Sequence, residues 1–186
     1  MVAIHALWLP ILLSAVVVFF ASSLIHMVIP FHKSDYRKLP DEEKLLEVMR
    51  TTGVTPGRVY IFPHTSHQKM KSPEVVEKFK RGPVGLLTIR PSGAPGLGKF
   101  LGQWFLYCVV VAIFTAYLTG RTRLPGTEYL EVFRIAGTTA FLGYALALCQ
   151  NAIWKGETWG VTAKHLLDGL IYGLLTAGIF GWLWPK

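Results

Sequence analysis

The chain has 186 residues, 52% of them hydrophobic and only 16% charged, with a mean hydropathy of +0.40. Soluble domains carry about 25% charge, so the composition excludes an ordinary soluble enzyme and points to a membrane protein. The formal charge is +8, from 19 Lys and Arg against 11 Asp and Glu; the placement of the basic residues decides whether this means nucleic acid, anionic lipid or membrane topology.

Four apolar runs follow in chain order: Ala6 to Ile25, Phe100 to Leu118, Leu130 to Gln150 and Leu166 to Trp184. Each is long enough to cross a bilayer at about 1.5 Å per residue. No Lys or Arg precedes the first, so it fits a retained span better than a secretory signal. Lipid offers no partner to bare backbone groups, and the runs lack the alternation of barrel strands, so they read as helices. The expected fold class is an all-α membrane protein of four transmembrane helices with a small α+β cytoplasmic insertion between helices 1 and 2. Its parts are helix 1 at 1–29, the insertion with a Gly/Pro linker at 30–99, and a three-helix region at 100–186.

Within the insertion, Asp41, Glu42 and Glu43 suit a helix N-terminus, Leu45, Leu46, Val48 and Met49 give an apolar face, and Gly53 stops the helix. Val59 to Phe62 reads as a strand. Ser72 and Pro73 cap and open a second helix carrying Val75, Val76 and Phe79, ended by Gly82 and Pro83, and Val84 to Ile89 reads as a second strand. A unit of this size is marginal alone, so its apolar faces are expected to rest on the bilayer, the helices or a partner. Arg90 to Gly98 is a Pro/Gly-rich linker.

Thirteen basic residues lie between Pro30 and Lys99; Lys155 and Lys164 bring the odd-loop total to 15, against four at Arg121, Arg123, Arg134 and Lys186. The positive-inside rule then expects the N-terminus outside, the 30–99 loop in the cytoplasm and the C-terminus outside. Trp8, Trp182 and Trp184 suit the outer interface, and Trp104, Trp154 and Trp159 the inner one. Basic loops of this kind favour membrane lipids carrying anionic headgroups, so nucleic acid is not needed as a partner. Cys108 and Cys149 both fall inside apolar runs and read as small hydrophobes rather than a disulfide pair.

Gly93 to Lys99 matches the first seven positions of a P-loop, but Phe100 stands where a Mg²⁺-binding hydroxyl is needed and Pro95 removes a backbone donor, so the stretch reads as a linker. The histidines carry more chemistry. His26 ends the first span, Gln150 and Asn151 close the third, and His165 with Asp168 three residues later opens the fourth, all at one depth. Imidazoles and a carboxylate there can coordinate a metal or a haem iron. His32, His64 and His67 are weaker candidates. The plainer account of the cluster is an interfacial polar layer, with Asp168 helped by the helix dipole and neutralised by Lys164.

Gly169, Gly173, Ala177 and Gly181 recur every four residues and form a stripe for close helix packing, with Ala136, Ala140 and Tyr144 as an expected mate. Glu128, Glu131 and Arg134 gather at the outer end of the third span and suggest snorkelling. No nucleophile elbow or paired carboxylates appear, no helix reads as broken at the midplane, and catalysis is unsupported.

The stretch His32-Lys-Ser-Asp-Tyr-Arg-Lys-Leu-Pro-Asp-Glu-Glu43 resembles one found in small bacterial multi-spanning membrane proteins with no assigned function, and it implies a bacterial inner membrane. The leading expectation is a non-catalytic structural or accessory subunit of a membrane complex, partnered by another membrane subunit or by its own copies. The alternative is a metal- or haem-binding membrane protein of electron transfer using the His/Asp cluster; no cofactor is required by the leading expectation.

Overall fold

The computed structural model describes residues 1–94 and 96–186. Pro95, whose missing N–H weakens the Gly93–Lys99 cradle in the sequence reading, lies outside the described residues. Two compact units are formed, Met1–Tyr36 with Gly96–Ala152 and Glu157–Lys186, and Arg37–Pro95 with Ile153–Gly156. The expected division at residue 29 therefore moves: the turn carrying His32 and Asp35 belongs to the helical unit.

The helical unit begins with a 3-10 turn and α1 (Trp8–Ser23), which passes into a π-helical turn at Leu24–Val28. Its other long helices are α4 (Leu97–Thr122), α5 (Tyr129–Tyr144) and α7 (Trp159–Trp182), and it takes α6 (Cys149–Lys155) as far as Ala152. Helix α1 packs on α4 and α7, and α5 packs on α4 and α7, so the four long helices form a closed ring in the order α1, α4, α5, α7.

Small residues make up much of the interior: Ala15, Ala112, Ala116, Ala136, Ala140 and Ala177 are buried beside Leu7, Val132, Tyr172 and Phe180, whereas Phe20, Leu106, Phe114, Leu130 and Trp182 are exposed. Large apolar side chains on the outside match helices that face lipid, and small buried ones let helix backbones pack closely. Three buried hydroxyls return to their own helix: Ser22 Oγ donates to the Phe19 carbonyl at 2.8 Å, and Thr115 and Thr176 donate to the carbonyls of Val111 and Tyr172 at 2.9 and 2.8 Å. The stripe on α7 meets α5 directly. A Cβ on Gly169 would strike Ala145, one on Gly173 would lie 3.2 Å from the Gly137 carbonyl oxygen, and one on Gly181 2.6 Å from the Tyr129 ring.

Three helical stretches, Ile4–Val28, Leu97–Thr122 and Tyr129–Lys155, are long and apolar enough to cross a membrane. The run expected as the fourth span lies in α7, whose first three turns carry Lys164, His165 and Asp168. The third run differs from the unbroken helix expected. Its helix stops at Tyr144, Ala145 leaves the helical region at φ −129° and ψ −49°, and a 3-10 turn leads into α6. The break occurs where Gly169 of α7 lies against Ala145.

The other unit holds α2 (Glu42–Thr51), β1 (Arg58–Phe62), α3 (Pro73–Arg81) and β2 (Gly85–Ile89). The strands pair antiparallel, with Arg58 opposite Ile89 and Phe62 opposite Gly85. Gly85 leaves room for the Phe62 ring, which a Cβ there would meet at 3.1 Å. Neither helix of this unit buries a residue fully, as expected of a unit too small for a core of its own.

Candidate metal centre

The site is built where α1 gives way to its π-helical turn. A π turn carries one residue more than an α turn and often marks a functional position; here it contains His26. A 3-10 turn at Pro30–His32 then folds the chain back along the bundle. Lys164 of α7 pins that turn, donating to the Phe31 carbonyl at 2.8 Å, Ser34 Oγ at 2.8 Å and Asp35 Oδ1 at 2.5 Å. All three ammonium donors are thus used on one short segment. On α7 itself, Thr158 accepts from the Val161 N–H as the helix cap, and one turn of spacing sets His165 beside Asp168.

His26, His32, His165 and Asp168 each offer one ligand atom, and these atoms lie within 4.8 Å of one another. Asp168 Oδ2 is the focus, 3.0 Å from His32 Nε2, 3.7 Å from His165 Nδ1 and 3.8 Å from His26 Nε2. The three rings stack nearly parallel, His26 on His32 at 4.3 Å and His32 on His165 at 5.5 Å between centroids. Asp168 is 3% exposed, so its carboxylate has been taken out of solvent and needs compensation.

The hydrogen bonds assign the ring nitrogens. His26 Nδ1 lies 3.1 Å from the Ser22 carbonyl oxygen and His32 Nδ1 lies 2.6 Å from Asp35 Oδ2. In neutral rings each Nδ1–H donates to those oxygens, and the lone pair is left on Nε2, facing Asp168. That is the arrangement of metal-binding histidines, whose second nitrogen is held by a carbonyl or a carboxylate. Although His32 Nε2 and Asp168 Oδ2 are only 3.0 Å apart, neither has a hydrogen-bond partner, and both are buried. The contact is close but not aligned as a hydrogen bond, and it is an ion pair when His32 carries a proton.

Asp35 is the outer carboxylate. The Lys164 ammonium bonded to it holds its carboxyl below the usual carboxylate value, against the opposing effect of burial, and His32 adds to the lowering. Lys164 therefore neutralises Asp35 rather than Asp168, the partner expected from helical spacing. Glu157 stands at the edge of the site, with Oε1 3.8 Å from His165 Nε2 and Oε2 accepting from Thr162 Oγ1 at 3.2 Å.

Of the residues singled out in the sequence, His26, His165 and Asp168 converge, and His32 joins them at their centre. Gln150 is exposed and outside the group, while Asn151 lines an adjoining cavity. His64 and His67 are exposed in the other unit and join no metal-competent group among the described residues. Asp35 was not visible as a site residue, although one pattern points to it: His32-Lys-Ser-Asp35 and His165-Leu-Leu-Asp168 share a His-x-x-Asp spacing.

The cavity beside the cluster has a volume of about 820 Å³. Its polar end includes Ser22, His26, His165 and Asp168, and its walls include Trp104, Tyr107, Tyr144 and Tyr172. Trp104 is fixed there by its indole N–H, which donates to Ser22 Oγ at 2.7 Å.

Compared with protein-family models, with curated proteins and with solved structures, the chain matches none.

Proposed function

We infer that this chain is a four-span integral membrane protein that binds a divalent first-row metal through His26, His32, His165 and Asp168. The observation that carries the reading is the buried pair His32 Nε2 and Asp168 Oδ2, 3.0 Å apart and without hydrogen-bond partners. A tetrahedral ion with bonds of about 2.0–2.2 Å needs ligand atoms roughly 3.3 Å apart, and the distances of 3.0, 3.7 and 3.8 Å around Asp168 Oδ2 reach that shell with small side-chain rotations. Three imidazoles and one carboxylate suit Zn²⁺, Fe²⁺ or Mn²⁺ better than Ca²⁺ or Mg²⁺, which prefer all-oxygen shells. The stacked rings favour an ion over haem, because axial ligands of a porphyrin point at each other from opposite faces.

In the four-span reading the cluster sits at the cytoplasmic end, since the loops there hold 15 of the 19 basic residues. The resemblance of residues 32–43 supports a bacterial inner membrane. The test is elemental analysis of the full chain purified in mild detergent, before and after EDTA and after re-exposure to Zn²⁺, Fe²⁺ or Mn²⁺. About one equivalent per chain is expected, falling away in a His32→Ala, Asp168→Asn double variant that remains monodisperse. A wild-type chain that retains none of the three metals overturns the reading.

A further inference from the structure

Two apolar patches are exposed on the unit that holds the strands, and they differ in charge. On the sheet, Val59 and Ile61 lie opposite Thr88 and Leu86, an open face whose four members are all uncharged. The other patch carries cations. Met70, Val76 and Phe79 line a shallow hollow together with Lys80, and Lys69 and Lys71 flank Met70 in the chain.

The layout of α3 explains why this hollow is basic. Val76, Phe79 and Lys80 are three and four residues apart and share one side of the helix. Glu74 and Glu77 are each tied to a base one turn further on, Lys78 at 3.0 Å and Arg81 at 3.3 Å, so neither carboxylate offsets Lys80. Lys69, Lys71 and Lys80 are exposed and join no ion pair among the described residues. Over residues 37–95, eleven Lys and Arg stand against six Asp and Glu, so the unit as a whole is also cationic.

Two features identify what covers the patch. Apolar side chains edged by lysines match a bilayer surface with anionic headgroups, where the apolar groups enter the acyl boundary and the lysine stems keep their ammonium groups at the phosphates. The chain also runs into a helix long and apolar enough to span on each side of this unit, α1 before it and α4 after it, which holds a bilayer surface at high effective concentration. No soluble partner has that advantage. We propose that Met70, Val76 and Phe79, with Lys69, Lys71 and Lys80 beside them, form a docking surface for a bilayer bearing anionic lipid. The assignment rests on the two flanking spans and is independent of the metal reading.

The test uses the full chain in lipid nanodiscs with EDTA present, so that the metal site has no part in the result. A Gln68→Cys, Cys149→Ala chain carries a fluorophore next to the patch, while Cys108 is fully buried and out of reach of the label. A nitroxide on the lipid acyl chain quenches the fluorophore only where lipid is in contact. Strong quenching is expected in equal parts of phosphatidylcholine and phosphatidylglycerol, and weak quenching in phosphatidylcholine alone. The Lys69→Gln, Lys71→Gln, Lys80→Gln variant, whose three sites are exposed and tolerate the change, should weaken docking about fivefold for each lysine lost, and added salt should weaken it by screening. No quenching of the labelled chain, equal quenching in the two lipids, full quenching in the triple variant, or a blue-shifted emission without quenching, which would mean that protein covers the patch, overturns the proposal.

Discussion

His32 and Asp168 come from opposite ends of the chain, yet the structure sets His32 Nε2 3.0 Å from Asp168 Oδ2 with both atoms buried. The contact closes the helical ring, because His32 follows α1 and Asp168 belongs to α7. Each residue brings its own support: Asp35 behind His32, and the α7 backbone behind Asp168.

Removing the outer carboxylate should weaken the metal without removing a ligand. Asp35→Asn keeps the shape but no longer holds His32 in one tautomer, and loss of such a partner typically costs 10- to 100-fold in metal affinity. Competition of the loaded protein with a chromogenic chelator measures it, and an affinity equal to wild type would show that Asp35 plays no part in ligation.

Lys164→Met should destabilise the fold more than Asp35→Asn. The first leaves a carboxylate only 3% exposed at its side chain without its ammonium, whereas the second leaves Lys164, 21% exposed, able to reach solvent and the Phe31 carbonyl. Breaking a buried pair from one side costs at most about 3–5 kcal/mol. Thermal unfolding in detergent should place Lys164→Met below Asp35→Asn, and the reverse order would contradict the asymmetry.

The α5–α7 contact should resist even one methyl group. Gly169→Ala drives a Cβ into Ala145, and overpacking of this kind costs about 1–3 kcal/mol. Gly102→Ala is the matched control, since nothing lies within 4 Å of its Cβ position on α4 and alanine favours a helix interior by about 1 kcal/mol. Melting temperatures of the two variants should move in opposite directions.

The four-span reading makes a topological prediction. A phosphatase reporter fused after Lys186 should be active only on the outer side, and a membrane-impermeant amine reagent should not label Lys44 in intact cells. Labelling of Lys44 from outside would invert the chain and move the histidine cluster to the other face.

Much of the architecture was legible because it follows from local rules. The apolar runs had to be helices in lipid, and the edges of α2, α3, β1 and β2 fall within a residue or two of where Gly53, Ser72, Pro73 and Gly82 place them. The four-residue repeat of Gly169, Gly173, Ala177 and Gly181 marks a contact face whatever its partner. The break at Ala145 was not legible, since Ala145 to Leu148 are good helix formers and the deviation coincides with α7 lying against the chain at that point. Gln150 shows the same limit: the sequence places it at the end of the third run, but a 3-10 turn precedes it and its side chain is exposed, outside the group.

Sequence alone determined that the chain is apolar enough for membrane, which stretches are helical, and how the basic residues are distributed along the chain, because each depends on composition or on neighbours a few positions away. Only the tertiary structure decided that His32 belongs at the centre of the site and that Lys164 answers Asp35 instead of Asp168. Those relationships join α1, the turn after it and α7, and a linear spacing holds no information about how helices distant in the chain are rotated toward one another.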